Sequence, residues 1–221
     1  MAAAWQKPSS ISSVSATGHR IATIASRQLA FVRSEQLREI GLPPSTVRSR
    51  VASGRLFRVH QGVYSLVPPP YSRDQLWLAA VLACGPGAML SHQPAAMLQG
   101  FLDRGPGRAQ VTVATGRGRS RQGITVHRAV VDTRDRRKVE QIPCTSADRV
   151  LIDLAPACEE AELETILVAA ESLGLIKRSR LAELIAEHRG RPGIHRLASV
   201  TALEPVHTRS LPETRFLAVG R

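Results

Sequence analysis

The chain has 221 residues, a length that allows one large domain or two small ones. The hydrophobic content of 43% excludes wholesale disorder, and the aromatic content of only 4% disfavours a stacking platform for single-stranded nucleic acid. The formal net charge of +12 favours a polyanionic partner, although a GC-rich genome would also raise the arginine content without a functional cause.

Positive charge is concentrated in the first part of the chain. Residues 1–138 contain 20 basic and 6 acidic residues, and 20 − 6 gives +14. Residues 139–221 contain 10 basic and 12 acidic residues, and 10 − 12 gives −2. The first part is therefore predicted to contact phosphate, and the second part is expected to have a different partner.

The location and cofactor content follow from simple patterns. Residues 1–16 lack a continuous apolar core, so they are expected to be a disordered tail and not a signal peptide. No run of about 18 apolar residues occurs, so no membrane partner is expected. The cysteines Cys84, Cys144 and Cys158 are too dispersed for a zinc site or a disulfide framework. We expect a cytoplasmic protein with no cofactor and no metal site.

The first predicted elements lead into a helix-turn-helix. Apolar residues at helical spacing predict a helix from His19 to Ala30. Ser34 is then a predicted N-cap of a short helix that runs to Ile40. The following Gly41 favours a helix end, and the two prolines after Leu42 stiffen the turn.

The second helix of this motif has the pattern of a DNA-recognition helix. Ser45 or Thr46 is predicted to cap it, and Val47 and Val51 lie four residues apart and should pack inward. A small, hydroxyl-rich outer face with arginines fits a DNA major groove. The predicted DNA-contacting residues of this helix are Ser45, Thr46, Arg48, Ser49 and Arg50.

A wing is predicted after Gly54. The strands 56–59 and 63–66 flank His60-Gln61-Gly62, which is typical of a hairpin. The predicted DNA-contacting residues here are Arg55, Arg58 and His60, with Arg58 expected to bind phosphate. Residues 17–67 carry 8 basic and 2 acidic residues, and 8 − 2 gives +6. The alternative is a small helical domain that shows the pattern by chance, with arginines that are only solvated.

The predicted organisation continues with a Pro-rich linker over residues 68–73 and an α+β domain over residues 74–207. Two apolar helices are expected at Asp74–Cys84 and His92–Leu98, the second capped by Ser91. His92 has no carboxylate or cysteine near it in sequence, which favours capping or packing over catalysis.

A small antiparallel sheet is predicted next. Alternating residues indicate strands at 109–115 and 123–129, joined as a hairpin by a basic turn that either touches the DNA backbone or is solvated. This turn lacks the residues of a phosphate loop. Residues 138–144 are a further strand candidate.

The remainder is predicted to be helical. The expected helices are 147–154, 159–173, 180–188 capped by Ser179, 193–203, and one that starts at Thr208. The second has Leu163, Ile166, Leu167 and Ala170 on one face, which indicates an amphipathic helix. Its Glu159, Glu160, Glu162 and Glu164 are interpreted as helix-dipole partners and a solvated face.

Four stretches together resemble a known family. They are LPPSTVRSRVASGRLFRVHQGVYSL, GAMLSHQPAAMLQG, ITVHRA and IPCTSADRVLIDLA. Over about residues 17–219 the chain resembles the AbiEi-type antitoxins of type IV toxin–antitoxin systems, and most closely the actinobacterial kind that precedes a Vsr-like nuclease module. The resemblance implies an N-terminal winged helix that binds promoter DNA and a C-terminal region that engages a nucleotidyltransferase-like toxin.

The resemblance also defines the alternative function. In many relatives TRSxxExxFL opens the nuclease module, and residues 208–217 match that opening, whereas Pro212 departs from the helical residue usual there. Residues 208–221 are interpreted as a truncated start of this module. Glu213 alone cannot hold a catalytic Mg²⁺, so no catalytic residue and no DNA cleavage are expected. The first hypothesis is therefore a non-enzymatic DNA-binding antitoxin and autoregulator. The alternatives are a fragment of a Vsr-like endonuclease fusion, and a winged helix that binds protein instead of DNA.

Overall fold

The structure is a computed structural model that describes residues 10–105, 107–114 and 121–202, with side chains from residue 16 onward. The first helix, α1, spans Ser10–Ser26. It begins well before the predicted start at His19, so residues 10–16 are helical and the expectation of a disordered tail is wrong for them. The helix ends before Leu29 and Ala30 because both adopt a left-handed backbone conformation.

The next elements form the predicted winged helix-turn-helix. They are β1 (Phe31–Arg33), α2 (Ser34–Glu39), α3 (Pro44–Ala52), β2 (Phe57–His60) and β3 (Val63–Ser65). The strands form an antiparallel sheet in the order β1-β3-β2. This sheet and the α+β class are confirmed.

The helix starts differ from the predicted caps. Arg33 is the N-cap of α2, so Ser34 is already its first helical residue. Helix α3 has Pro43 as its N-cap and Pro44 as its first residue, which makes the prediction of Ser45 or Thr46 as the cap wrong. The reason is that proline at the first helical position has a suitable φ and loses no intrahelical hydrogen bond.

The winged helix has its own apolar core beneath α1, α2 and α3. The buried residues of this core are Ile21, Ala25, Val32, Leu37, Leu42, Val47 and Leu56. Val51 is half-buried against it, so the predicted inward face of α3 is confirmed.

The second part of the chain is built on a five-stranded sheet. Its elements up to the sheet edge are α4 (Arg73–Cys84), β4 (Met89–Leu90), α5 (His92–Leu98), β5 (Ala109–Val113), β6 (Ile124–Arg128), β7 (Arg136–Val139) and β8 (Ile142–Thr145). The strand order is β6-β5-β4-β8-β7. The pairs β4–β5 and β7–β8 are antiparallel, whereas β4–β8 and β5–β6 are parallel.

Two strand predictions are wrong in their connections. The strands β5 and β6 do not form a hairpin, because Ala109 pairs with Ile124 in a parallel register. Alternation indicates a strand but not its direction in the sheet. The single strand predicted at 138–144 is a hairpin, β7–β8, whose turn residues Glu140 and Gln141 both have positive φ. The sequence contains no glycine or asparagine there to signal this turn.

Four helices complete the described chain. They are α6 (Ala147–Leu154), α7 (Glu160–Ser172), α8 (Arg178–Glu187) and α9 (Ile194–Ala202). The predicted apolar face of α7 is fully buried. Ser146 caps α6 by accepting a hydrogen bond from the Arg149 amide. Lys177 is the N-cap of α8, so the prediction of Ser179 as its cap is wrong. The helix predicted from Thr208 lies outside the described residues.

The two parts of the chain share a hydrophobic core. Phe31 of β1 and Val63 of β3 belong to the same buried cluster as Trp77 of α4. Tyr71 in the Pro-rich segment packs edge-on against Phe31, with ring centroids 5.6 Å apart. The segment 68–73 therefore connects two units that pack directly against each other. In the part of the chain that the structure describes, no helix has the length and apolarity needed to cross a membrane.

Candidate nucleic-acid interface

The predicted outer face of α3 is exposed to solvent. Ser45, Arg48, Ser49 and Ala52 are exposed, and Thr46 and Arg50 are half-buried at its flanks. This pattern follows from the helical period, because Val47 and Val51 occupy the opposite face and pack on the winged-helix core. The exposed face thus presents hydroxyl groups and an arginine, groups that can donate hydrogen bonds to bases or phosphates.

A groove of about 380 Å³ lies between α2, α3 and the wing. Its apolar lining includes Leu42, Val47 and Val51. Arg38 of α2, Arg48 of α3 and Arg58 of β2 also line this groove, and all three are exposed. We call these three residues the arginine triad. Three separate elements thus each contribute an exposed arginine to the lining of one groove, which creates a local positive surface.

Arg38 is a residue that the sequence-based site prediction missed. It lies in the last turn of α2, where a basic residue interacts favourably with the helix dipole. This local role explains an arginine at that position without any function in binding. Its position in the first helix of a helix-turn-helix is a usable signal, since this helix crosses the DNA backbone in that motif. Ser34 and Tyr64 are two further groove-lining residues that the sequence analysis did not select.

His60 lies in a different environment from the other predicted contacts. It is half-buried at the end of β2 and lines the same cavity as Gln61 and Arg121, on the side of the wing that meets the second part of the chain. Burial lowers the pKa of His60, and the nearby Arg121 lowers it further. These effects favour the uncharged form of His60. His60 does not line the groove of the arginine triad, although Arg58 lines both that groove and the cavity at His60.

Arg121 links the wing to the second part of the chain through two hydrogen bonds. Its Nε donates to the carbonyl oxygen of Ala83 at 3.1 Å, and its Nη1 donates to Oε1 of Gln61 at 3.1 Å. Arg121 belongs to the basic turn that was expected either to touch DNA or to be solvated. It instead forms hydrogen bonds within the protein. Arg117 and Arg119 lie outside the described residues. The two bonds of Arg121 keep the hairpin in a defined position relative to α4.

A second pair of contacts holds the other side of the winged helix. The Leu29 amide donates to Oε1 of Gln141 at 3.4 Å, and Nε2 of Gln75 donates to the Leu29 carbonyl at 3.5 Å. Together with the shared core, these bonds hold the winged helix on the five-stranded sheet domain. The winged helix that carries the arginine triad is therefore packed on the rest of the protein.

The acidic cluster at the start of α7 forms a solvated helix terminus. Glu159, Glu160 and Glu162 are exposed, and Glu164 is half-buried. Among residues 10–105, 107–114 and 121–202, no three histidine, cysteine or acidic side chains are placed to hold a metal ion. Glu213 lies outside the described residues.

Comparison with known families gives two matches that follow the two parts of the chain. Residues 19–67 match the family described as "Transcriptional regulator, AbiEi antitoxin". Residues 81–202 match the family described as "AbiEi antitoxin C-terminal domain". No curated protein gives a significant sequence match.

The two matches agree with the resemblance found in the sequence, and the longer one covers more than half of the chain. Their order is that of a regulator domain followed by an antitoxin domain, with the winged helix inside the first. Both family descriptions are regulatory and not catalytic. The chain belongs to the AbiEi antitoxin family, the transcriptional-regulator antitoxins of toxin–antitoxin systems.

Proposed function

We propose that this protein is a DNA-binding antitoxin of a type IV toxin–antitoxin system that represses its own promoter. The observation that carries the proposal is the arginine triad, which lines one groove between the recognition helix and the wing. A winged helix places its second helix in the major groove, and a wing beside it reaches the adjacent backbone. The net charge of +6 over residues 17–67, from 8 − 2, supplies attraction to phosphate.

The proposed roles differ between residues. Arg48 on the exposed face of α3 reads a base edge, while Arg38 and Arg58 neutralise phosphates on either side. Ser45, Thr46, Ser49, Arg50 and Arg55 supply further contacts along the same helix and at its end. His60 is the weakest member of the predicted set, because it is half-buried against the second part of the chain.

DNA binding is expected to weaken strongly with salt. Each phosphate neutralised by arginine releases counterions, so log affinity should fall with log salt by a slope of about −0.9 per contact. The measurement is fluorescence anisotropy with duplex DNA from upstream of the gene, at several salt concentrations. Replacement of all three residues of the arginine triad by alanine should reduce the magnitude of the slope by about 1.8, which is twice 0.9, because Arg38 and Arg58 are the two proposed phosphate contacts.

A suitable control for that experiment is Arg180→Ala, which removes one exposed charge far along the chain in α8. It should leave the slope unchanged. A salt-independent affinity for the unmodified protein would contradict the proposal.

Arg48→Ala and Arg58→Ala should affect DNA binding differently. Arg48→Ala should cost about 1–3 kcal/mol on the specific site and little on random DNA, because a guanine contact is lost only where the guanine is present. Arg58→Ala should weaken both duplexes alike, since phosphates occur in every sequence. Titrations of each variant with both duplexes test this division. Equal losses on the two duplexes for Arg48→Ala would show that it does not read sequence.

Residues 139–207 are proposed to engage a nucleotidyltransferase-like toxin. Residues 139–221 carry a charge of 10 − 12, or −2, so the electrostatic attraction that drives non-specific DNA binding is absent there. We expect the full-length protein with all three triad arginines replaced to lose DNA binding. It should bind the toxin encoded beside its gene with unchanged affinity in calorimetry.

Two results would argue against this separation of surfaces. Loss of toxin binding in a folded triad variant would place the toxin on the winged helix. Retention of tight DNA binding in that variant would place DNA elsewhere. The full chain is used because its two parts share a core.

The same proposal assigns no catalytic activity to this chain. Its support is the regulatory character of both matched families and the solvated arrangement of the acidic cluster of α7. A winged helix exerts control by occupying a promoter, and this needs no bond to be made or broken.

A further inference from the structure

A second cleft lies in the antitoxin C-terminal region, apart from the arginine triad. It has a volume of about 410 Å³, which is within the range of small-molecule sites. Its walls include Thr112 of β5, His127 of β6, His92 of α5, Asp153 of α6 and Arg191 of the α8–α9 connection. These residues are far apart in sequence and are assembled only by the fold.

The two histidines at this cleft form a stacked pair whose uncharged form is favoured by burial. The imidazole rings are stacked with centroids 3.7 Å apart and an interplanar angle of 20°. Burial lowers the pKa of His92 to about 3, and burial also lowers the pKa of His127. Nε2 of His127 lies 3.2 Å from Oε1 of Gln110, which orients its ring.

The backbone at His92 supports a specialised role. Its φ is +56°, a conformation that a residue with a side chain rarely adopts, and such residues cluster at functional sites. The packing role expected for His92 from sequence is seen in its stacking on His127, while its Nδ1 lies 3.0 Å from the Ser91 hydroxyl.

Two buried polar atoms at this cleft have no partner within the described residues. Oδ1 of Asp153 accepts from Nε of Arg149 at 2.8 Å, but its buried Oδ2 has no hydrogen-bond donor. The hydroxyl of Thr112, a residue only 1% exposed, is equally without a partner. Buried polar groups nearly always have one, so a bound molecule that both donates and accepts would complete this site.

The positively charged side chain of Arg191 lies beside these groups. The side chain of Arg191 is 33% exposed, and its Nη1 lies 3.5 Å from Oδ1 of Asp153. It can therefore contact both the interior of the cleft and a charged group outside it. Arg128 lines the cleft as well.

We propose that this cleft binds a nucleotide. The base would stack on an outer face of the imidazole pair, and a base N–H would donate to Oδ2 of Asp153. An acceptor atom of the base would accept a hydrogen bond from the Thr112 hydroxyl, and the phosphate would bind Arg191. A flat heterocycle suits stacking on an aromatic surface, and its edge carries both donors and acceptors.

Simpler ligands satisfy fewer of these groups. A guanidinium or ammonium group from a protein partner would meet Arg149 and Arg191 as well as Asp153, so like-charge repulsion opposes it. A phosphate ion alone would leave Oδ2 of Asp153 without a donor. A nucleotide supplies the donor, the flat ring and the anion in one molecule. This inference is independent of DNA binding by the winged helix.

The test is calorimetric titration of the full-length protein. The ligands are the four ribonucleoside 5′-monophosphates and triphosphates, the four nucleosides, and inorganic phosphate. We expect at least one nucleotide to bind saturably with one site per chain, and its nucleoside and inorganic phosphate to bind at least tenfold more weakly.

Two variants and one matched control locate the site. Thr112→Val removes only the unpaired hydroxyl, so it should weaken nucleotide binding at least fivefold while the melting temperature is unchanged or higher. Arg191→Ala should weaken binding at least tenfold. Arg189→Ala, two residues away in the same connection and exposed, removes the same charge and should have no effect.

Several outcomes would overturn the proposal. They are no saturable binding of any nucleotide at millimolar concentration, equal binding of phosphate alone, and nucleotide binding that persists in both Thr112→Val and Arg191→Ala. Loss of toxin binding in these two variants without any nucleotide binding would assign the cleft to a protein interface instead.

Discussion

Replacement of Arg149 by alanine is expected to lower the free energy of unfolding by about 3–5 kcal/mol. The Arg149 side chain is only 2% exposed, and it pairs with Asp135 at 3.0 Å and with Asp153 at 2.8 Å. Its Nη1 also donates to the carbonyl oxygen of Val130 at 2.9 Å. The substitution would leave the buried carboxylate of Asp135 without this countercharge and Asp153 with only the longer pair to Arg191 at 3.5 Å, and that is the costly step.

Denaturant unfolding followed by circular dichroism measures this loss. The matched control is Arg180→Ala, because Arg180 pairs with Glu183 on the surface of α8 and both side chains are well exposed. An exposed pair contributes about 0–1 kcal/mol, so the control should change little. If the two variants lose similar amounts, the buried network does not stabilise the fold in the way described.

Arg149→Lys is an informative companion variant. Lysine retains the charge but not the planar fork with which Arg149 serves Asp135, Asp153 and Val130 together. We expect a loss between those of the alanine variant and the control. Burial raises the pKa of Asp153 more than its arginine neighbours lower it, so this carboxylate depends on Arg149 for its stability in the charged form.

Gly193→Ala should lower the free energy of unfolding by roughly 2–5 kcal/mol, the sum of two separate costs. Gly193 has φ +73°, a left-handed conformation that costs a residue with a side chain about 1–2 kcal/mol. An added Cβ would also lie 2.4 Å from the carbonyl carbon and oxygen of Ala155. Relief of such a contact requires a backbone shift, and overpacking of this kind costs about 1–3 kcal/mol.

The matched control for this prediction is Gly190→Ala in the same α8–α9 connection. An added Cβ at Gly190 meets nothing within 4 Å. This variant should be neutral or gain about 0.4–1 kcal/mol, because alanine restricts the unfolded chain. Thermal unfolding of both variants separates a specific contact at Gly193 from a general sensitivity of the connection. Similar melting temperatures for the two would contradict the close approach to Ala155.

Local patterns in the sequence were sufficient for the elements and their buried faces. The spacing of Leu163, Ile166, Leu167 and Ala170 predicted the buried face of α7, and the structure confirms it. Val47 and Val51 defined the inward face of α3, and so also the exposed position of Arg48. These predictions succeed because side-chain direction follows from the period of the element itself.

Element boundaries and strand connections were harder to predict from the sequence. Helix α1 begins at Ser10 although residues 1–16 lack a clear apolar pattern. The turn at Glu140 and Gln141 has no typical turn residue, and the parallel pairing of β5 and β6 depends on neighbouring strands. The turn and the strand pairing involve contacts from outside the segment, such as the bond from the Leu29 amide to Gln141, so the segment's own residues do not predict them.

By itself, the sequence determined the fold class, the winged helix, the family resemblance and the exposed arginines of α3 and the wing. Only the tertiary structure placed Arg38 beside Arg48 and Arg58, directed Arg121 to the wing, and brought His92, Thr112, His127, Asp153 and Arg191 to one cleft. Periodicity and charge are properties of neighbouring residues along the chain, and they carry information over a few turns or strands. Which distant side chains meet is decided by the packing of whole elements, because that packing buries the shared core and fixes every distance across it.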